Sequence, residues 1–219
     1  MNKTELARMI DHTQLRAHAT QEDITRLCDE AIAHGFAAVS INPVWASYCA
    51  KRLAGADVQV DAVVGFPLGA STAHVKVEEA RDAVRNGATE IDMVINIGAL
   101  KSGFPQFVER EIAAVVQGIK AIPVKVIIEA CYLTNEEKAA VCQMCVRAGA
   151  AFVKTSTGFG ESGATVEDVR LLRQTVGNAI GVKAAGGIRS FSNAWDLIQA
   201  GASRIGTSAS VTILAEAEP

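Results

Sequence analysis

The chain has no surplus of positive charge. Twenty-one Lys and Arg residues face 24 Asp and Glu, a formal net charge of −3, so nothing resembles a nucleic-acid footprint. No run of about 18 apolar residues occurs, which excludes a membrane-spanning helix as a partner of lipid. The first residues, MNKTELARMIDH, lack an apolar signal core and point to a cytoplasmic protein. Five cysteines without framework spacing fit reduced thiols and not a disulfide scaffold. His12, His18, His34 and His74 lack metal-ligand spacing, so no metal site is expected. Cys142 and Cys145 form a C-x-x-C, but inside the helix-like NEEKAAVCQMCVRAGA and without a second ligand pair, which reads as core packing.

What the chain does have is alternation. Hydrophobic residues make up 49% of 219 positions, ample for one domain with a sizeable core. Short apolar runs are followed by longer amphipathic ones: FAAVSI by PVWASYCAKRLAG, VQVDAVVGF by STAHVKVEEARDAVRNG, PVKVIIEA by TNEEKAAVCQMCVRAG. The first amphipathic run has Thr20 as its expected N-cap and Gly35 as its stop. Eight such units follow a short helix, NKTELARM, with no linker or boundary. Strands alternating with helices imply parallel pairing. Eight units fit a closed barrel better than the rival doubly wound sheet. The prediction is an α/β fold, a single (β/α)8 TIM barrel over residues 1–219 with a short extra N-terminal helix.

In such barrels the chemistry lies at the carboxyl ends of the strands. The polar residues there are Asp11 and Thr13, Ser40, Asp92, Lys125 and Glu129, Lys154 and Ser156, Lys183, and Thr207 and Ser208. Period-two alternation puts Asp92 with Asn96, and Lys125 with Glu129, on single faces. Met93, Val126 and Val153 suit the helix side, which turns the polar set inward. Lys125, Lys154 and Lys183 recur at 29-residue spacing, one per strand, beside what reads as few acids. Two ammonium groups roughly 6 Å apart at an effective dielectric of ~20 repel by about 2.8 kcal/mol, or about two pKa units. Burial lowers a lysine further. One lysine would then be largely neutral at pH 7 and able to form a Schiff base. Spacing alone does not say whether that is Lys154 or Lys183. Glu129 is expected to neutralise Lys125, and Asp92 to pair with a lysine, to move protons, or both.

Three small-residue turns, STGFG, AGGIRS and GTSAS, close strands six to eight and lead into helices. Backbone N–H groups at such helix starts bind anions, and barrels often hold phosphate near the last two strands. Thr157, Gly158, Gly186, Gly187, Gly206 and Ser208 are the candidate phosphate and substrate contacts, with Asp11, Thr13, Ser40 and Lys125 at the other strand ends. A sugar-phosphate isomerase or epimerase using the acids alone, and a non-catalytic sugar-phosphate sensor, are the competing readings.

EIDMVIN, KVIIEA, FVKTSTGF, VKAAGGIR and RIGTSAS, in this order and preceded by IDHTQL, resemble the deoxyribose-phosphate aldolase family over essentially the whole chain. The resemblance implies reversible cleavage of 2-deoxy-D-ribose 5-phosphate to acetaldehyde and D-glyceraldehyde 3-phosphate. It implies Lys154 as the Schiff-base lysine, Lys183 as its pKa-lowering neighbour and proton relay, and Asp92 as the acid/base. It implies no cofactor and no metal. A homodimer or other homo-oligomer is the default expectation for such an enzyme. Residue 159 is phenylalanine where some members place lysine, which leaves phosphate to backbone amides, Ser208 and Arg189.

Overall fold

The computed structural model of the chain describes residues 1–217, so the last two residues of the expected span lie outside it. After α1 (Lys3–Ala7), eight strands alternate with helices: β1 (Ile10–Gln14), α2 (Gln21–His34), β2 (Ala38–Ile41), α3 (Ala46–Arg52), β3 (Gln59–Val64) and α4 (Ala73–Arg85). Next come β4 (Glu90–Val94), α5 (Ile97–Lys101), α6 (Pro105–Gly118), β5 (Val124–Ile127), α7 (Asn135–Ala148) and β6 (Phe152–Lys154). The chain finishes with α8 (Val166–Val176), β7 (Gly181–Ala185), α9 (Phe191–Gln199), β8 (Arg204–Thr207) and α10 (Ser210–Glu216). All eight strands pair in parallel with their sequence neighbours, and β1 pairs with β8, closing the barrel.

Local chemistry sets the helix limits. Thr20 caps α2 by accepting from the Asp23 N–H, and Gly35 ends it in the left-handed region at φ 67°. Thr134 and Glu137 form a reciprocal capping box on α7, which Gly149 terminates at φ 80°. α5 is an element the sequence reading did not contain. Asn96, expected on the inward face with Asp92, instead turns out and accepts from the Ala99 N–H as the cap of α5.

The apolar core lies between barrel and helices. Val64, Met93, Val126, Val153 and Val182 occupy one register row around the barrel. All five are buried, with Ile112, Val141, Leu172 and Leu197 from the helices among the same core. Cys142 and Cys145 of α7 are buried there too. Within the helix layer, the buried Lys76 of α4 donates 2.8 Å bonds to the Val94 carbonyl and to Glu111 of α6. The other Glu111 oxygen accepts from the Asn96 N–H at 2.9 Å. This pair satisfies backbone groups at the last residue of β4 and just past it, and holds the end of the strand that carries Asp92.

The inward rows are polar. Thr13, Ser40, Asp61 and Glu90 are register partners on β1 to β4. Asp92 is level with Lys125, and Lys154 with Lys183. The amino end of the barrel is filled by Phe152, over whose ring Arg204 lies at 5.4 Å. Gly181 allows this, because a Cβ there would stand 2.2 Å from the Phe152 ring.

Candidate active site

A cleft of about 230 Å³ opens at the carboxyl end of the strands. Lys154 is in its lining, with Thr13 and Arg16 from the β1 side and Thr157 and Gly158 after β6. Gly186, Gly187 and Arg189 follow β7, and Gly206, Thr207 and Ser208 close the ring from β8. The loops touch closely. Gly186, at φ 88°, would place a Cβ 3.0 Å from the Gly163 Cα and 3.4 Å from the Gly158 Cα, so glycine is required where these turns meet.

Lys154 is 3% exposed, and its Nζ lies 2.7 Å from Asp92 Oδ2. The same Asp92 oxygen is 2.7 Å from Lys183 Nζ. Asp92 Oδ1 lies 3.0 Å from Lys125. One carboxylate thus faces all three lysines. Deeper in, Lys183 meets Asp11 at 2.5 Å and Asp61 at 3.0 Å. Lys125 meets Glu90 at 2.7 Å and Asp61 at 3.0 Å, and Arg204 meets Asp11 at 2.6 Å.

These contacts divide the lysines. Burial disfavours the charge on all three. For Lys125 the carboxylates of Asp61, Asp92, Asp11 and Glu90 outweigh it and lift the pKa well above the usual lysine value. Asp11, Asp61 and Asp92 likewise raise Lys183 despite burial. Lys154 moves the other way. Burial is the largest cause, Asp92 opposes it, and the Lys183 charge adds to the lowering. Burial would raise Asp92, but the three lysines hold it well below the carboxylate range. Asp11 is similarly held at about 2 by Lys183, Lys125 and Arg204 against burial.

The lysine cluster is therefore not short of acids. Asp61 and Glu90 were missing from the sequence-based candidates, as were Arg204 below and Arg16 at the mouth. Asp61 carried a readable signal, because an acid inside the apolar run VQVDAVVGF is the same anomaly that marks Asp92 in EIDMVIN. Glu129 does not neutralise Lys125. It accepts from the Thr157 N–H at 3.1 Å and from the Thr157 hydroxyl, tying the β5 and β6 loops together.

The other candidates fall into two groups. Thr13, Thr157, Gly158, Gly186, Gly187, Gly206 and Ser208 line the cleft. Asp11, Ser40, Lys125, Lys183 and Asp92 are buried and are absent from its lining. Asp11 and Lys125 lie below because their ion pairs hold them in the barrel interior. Gly206 leaves room for the Lys183 chain, since a Cβ there would sit 3.1 Å from Lys183 Cε. The helix starts also differ from expectation. Thr165 and Ser190 cap α8 and α9 with their own side chains, and α8 begins well after Gly158. Of the three helices that follow the turns, only α10 lacks a side-chain cap.

Similarity to known proteins shows the family of the chain. The family model for DeoC/LacD family aldolases matches residues 6–210. The chain belongs to the DeoC/LacD aldolase family. It is 56% identical over 213 residues to a deoxyribose-phosphate aldolase of Geobacillus sp. (strain WCH70), covering 97% of this chain and 96% of the relative. It is also 56% identical to a deoxyribose-phosphate aldolase of Aciduliprofundum boonei, covering 98% of this chain and 97% of the relative. A solved deoxyribose phosphate aldolase from Aeropyrum pernix, described as tetrameric, superposes with a TM-score of 0.91 at 36% identity, covering 98% of this chain and 91% of that one. In this aldolase chain Phe159 stands at the cleft mouth, edge-on to Phe66 with ring centroids 5.4 Å apart.

Proposed function

We infer that this aldolase cleaves 2-deoxy-D-ribose 5-phosphate reversibly to acetaldehyde and D-glyceraldehyde 3-phosphate through a Schiff base on Lys154. The observation that carries the reading is the position of Lys154. It is the cluster lysine that reaches the cleft and the one whose surroundings favour the neutral amine. An uncharged amine has the lone pair that attacks an aldehyde carbon.

The steps are those of Schiff-base aldol cleavage. Lys154 Nζ adds to C1 of the open-chain sugar, and loss of water gives a protonated imine. A base removes the C3 hydroxyl proton, the C2–C3 bond breaks, and its electron pair moves into the iminium to form an enamine. Glyceraldehyde 3-phosphate leaves. Protonation of the enamine carbon and hydrolysis of the imine release acetaldehyde and restore the amine. We assign these proton transfers to Asp92 and Lys183, because Asp92 Oδ2 is 2.7 Å from both Lys154 and Lys183. Lys183, held as a cation, donates, and Asp92, held as a carboxylate, accepts.

The loops that follow β6, β7 and β8 are the part of the cleft we assign to the phosphate. Gly158, Gly186, Gly187 and Ser208 offer donors there, and Arg16 and Arg189 add positive charge. An isomerase using acids alone would leave the lowered Lys154 without a task.

The test is acetaldehyde release from deoxyribose 5-phosphate, together with exchange of acetaldehyde α-protons in deuterium oxide. Asp92→Asn should slow exchange by about 10²–10⁴, the range of general acid–base catalysis. Exchange at the wild-type rate would remove Asp92 from the mechanism, and absence of aldol cleavage in the wild type would remove the function.

A further inference from the structure

Asp61 has no role in the reaction as derived above, yet it lies within the same buried cluster. We propose that Asp61 is a positioning residue for the nucleophile, the carboxylate that takes up the proton Lys154 must lose. The proposal rests on Lys154 being the Schiff-base lysine.

The cluster holds four cations, Lys125, Lys154, Lys183 and Arg204, and four carboxylates, Asp11, Asp61, Glu90 and Asp92. Fully ionised, it is neutral. An unbalanced charge in such an interior is costly. An uncharged Lys154 leaves one negative charge in excess unless a carboxylate is protonated along with it.

Distances single out which one. Asp11 has Lys183 at 2.5 Å and Arg204 at 2.6 Å. Asp92 has Lys154 and Lys183 at 2.7 Å each, and Glu90 has Lys125 at 2.7 Å. Asp61 has no cation closer than 3.0 Å, and both of its partners, Lys125 and Lys183, sit nearer to another carboxylate. It is the acid that loses least by becoming neutral. Its surroundings agree: burial and the Asp92 charge raise its pKa against Lys125 and Lys183, while Asp11 and Asp92 are lowered. The groups facing it are Asp11 from β1, Asp92 and Glu90 from β4, Lys125 from β5, Lys154 from β6, Lys183 from β7 and Arg204 from β8, with the uncharged Ser40 from β2 as register partner.

A continuous path exists. Lys154 Nζ is 2.7 Å from Asp92 Oδ2, that oxygen is 2.7 Å from Lys183 Nζ, and Lys183 Nζ is 3.0 Å from Asp61 Oδ2. Lys183 gives a proton to Asp61, Asp92 takes one from Lys154, and Asp92 passes it to Lys183. An ammonium at Lys154 and a carboxylate at Asp61 become an amine and a carboxylic acid. Lys183 and Asp92 end as they began, and the total charge does not change. The two arrangements share one proton, so Lys154 and Asp61 titrate as a pair.

The test is Asp61→Asn. The rate of acetaldehyde adduct formation under borohydride, mapped to Lys154 by mass spectrometry, is measured for variant and wild type across pH. Asparagine cannot hold the charge that favours the Lys154 ammonium. A full charge at roughly 6 Å and a dielectric of ~20 is worth about two pKa units, so a half-shared one gives about one. The variant's acid limb should move about one pH unit lower and become a single ionisation. A limb at the wild-type pH with a uniformly reduced rate is what a merely structural Asp61 gives, and it overturns the proposal. An adduct on Lys154 in both proteins keeps the Schiff-base reading whatever the limb does, whereas a wild-type adduct on another lysine overturns both. If the variant does not fold, the carboxyl ¹³C resonance of Asp61 in the wild type decides. It should titrate in two phases, one of them across the activity limb, and a single phase outside that interval overturns the proposal.

Discussion

Lys125 and Lys154 are the same residue on adjacent strands, both inward and both buried, yet the barrel gives them opposite properties. Lys125 lies level with Asp92 and Phe152, within 4 Å of four carboxylates and 0% exposed. Lys154 stands two residues further toward the carboxyl end than Phe152, at the cleft, with Asp92 as its one ion-pair partner among the described residues. For Lys125 the carboxylates win over burial, while for Lys154 burial, with the Lys183 charge, wins over Asp92 and the more distant Asp61. Depth along the barrel axis, and not residue type or spacing, separates the two lysines, and it is the ground on which we propose Lys154 as the nucleophile.

The largest effect should come from Lys154→Arg. Arginine keeps the positive charge but does not lose its proton, so borohydride trapping and turnover should both vanish while the fold persists. Trapping at the wild-type level in this variant would erase the distinction between the two lysines.

Lys125→Met should act on stability. It leaves a group of buried carboxylates without their shared cation, a change of the kind that costs about 3–5 kcal/mol. Denaturant unfolding should show that loss. The folded variant should still form its adduct on Lys154, but with the acid limb at higher pH, because the uncompensated carboxylates favour the Lys154 ammonium. A fully stable variant that forms no adduct would invert the assignment.

The smallest effect belongs to the cleft wall. Ser208 is exposed there. A hydrogen bond to a charged group is worth ~1.5–3 kcal/mol, so Ser208→Ala should lower kcat/KM for deoxyribose 5-phosphate by about ten- to a hundredfold. Unphosphorylated deoxyribose should be handled nearly as before. Ser208→Asp should be worse, since it sets a negative charge against the phosphate. Equal losses for both substrates would place the phosphate elsewhere.

The barrel was legible because its periodicities are local. Strand runs, Thr20 and Gly35 as helix limits, and the helix-facing row of Met93, Val126 and Val153 follow from neighbouring residues alone. The lysine cluster was legible from its spacing. Its electrostatics were not, because the partners come from distant strands. Asp61 meets Lys183 across 122 positions and Asp11 meets Arg204 across 193. Repulsion among lysines was the expected cause of a neutral amine, but here burial leads and the Lys183 charge only adds to it. Glu129 was misread because its backbone turns at φ 50° just past β5, taking it out of the strand alternation that would have aimed it at Lys125.

The central claim is that position along the barrel selects Lys154 as the nucleophile. It is tested most directly by reducing the wild-type enzyme with borohydride in the presence of deoxyribose 5-phosphate and mapping the modified lysine by peptide mass spectrometry. A single adduct on the peptide containing Lys154, with Lys125 and Lys183 unmodified, is the predicted result. An adduct on Lys183 or Lys125, or none at all while aldol cleavage proceeds, would contradict it.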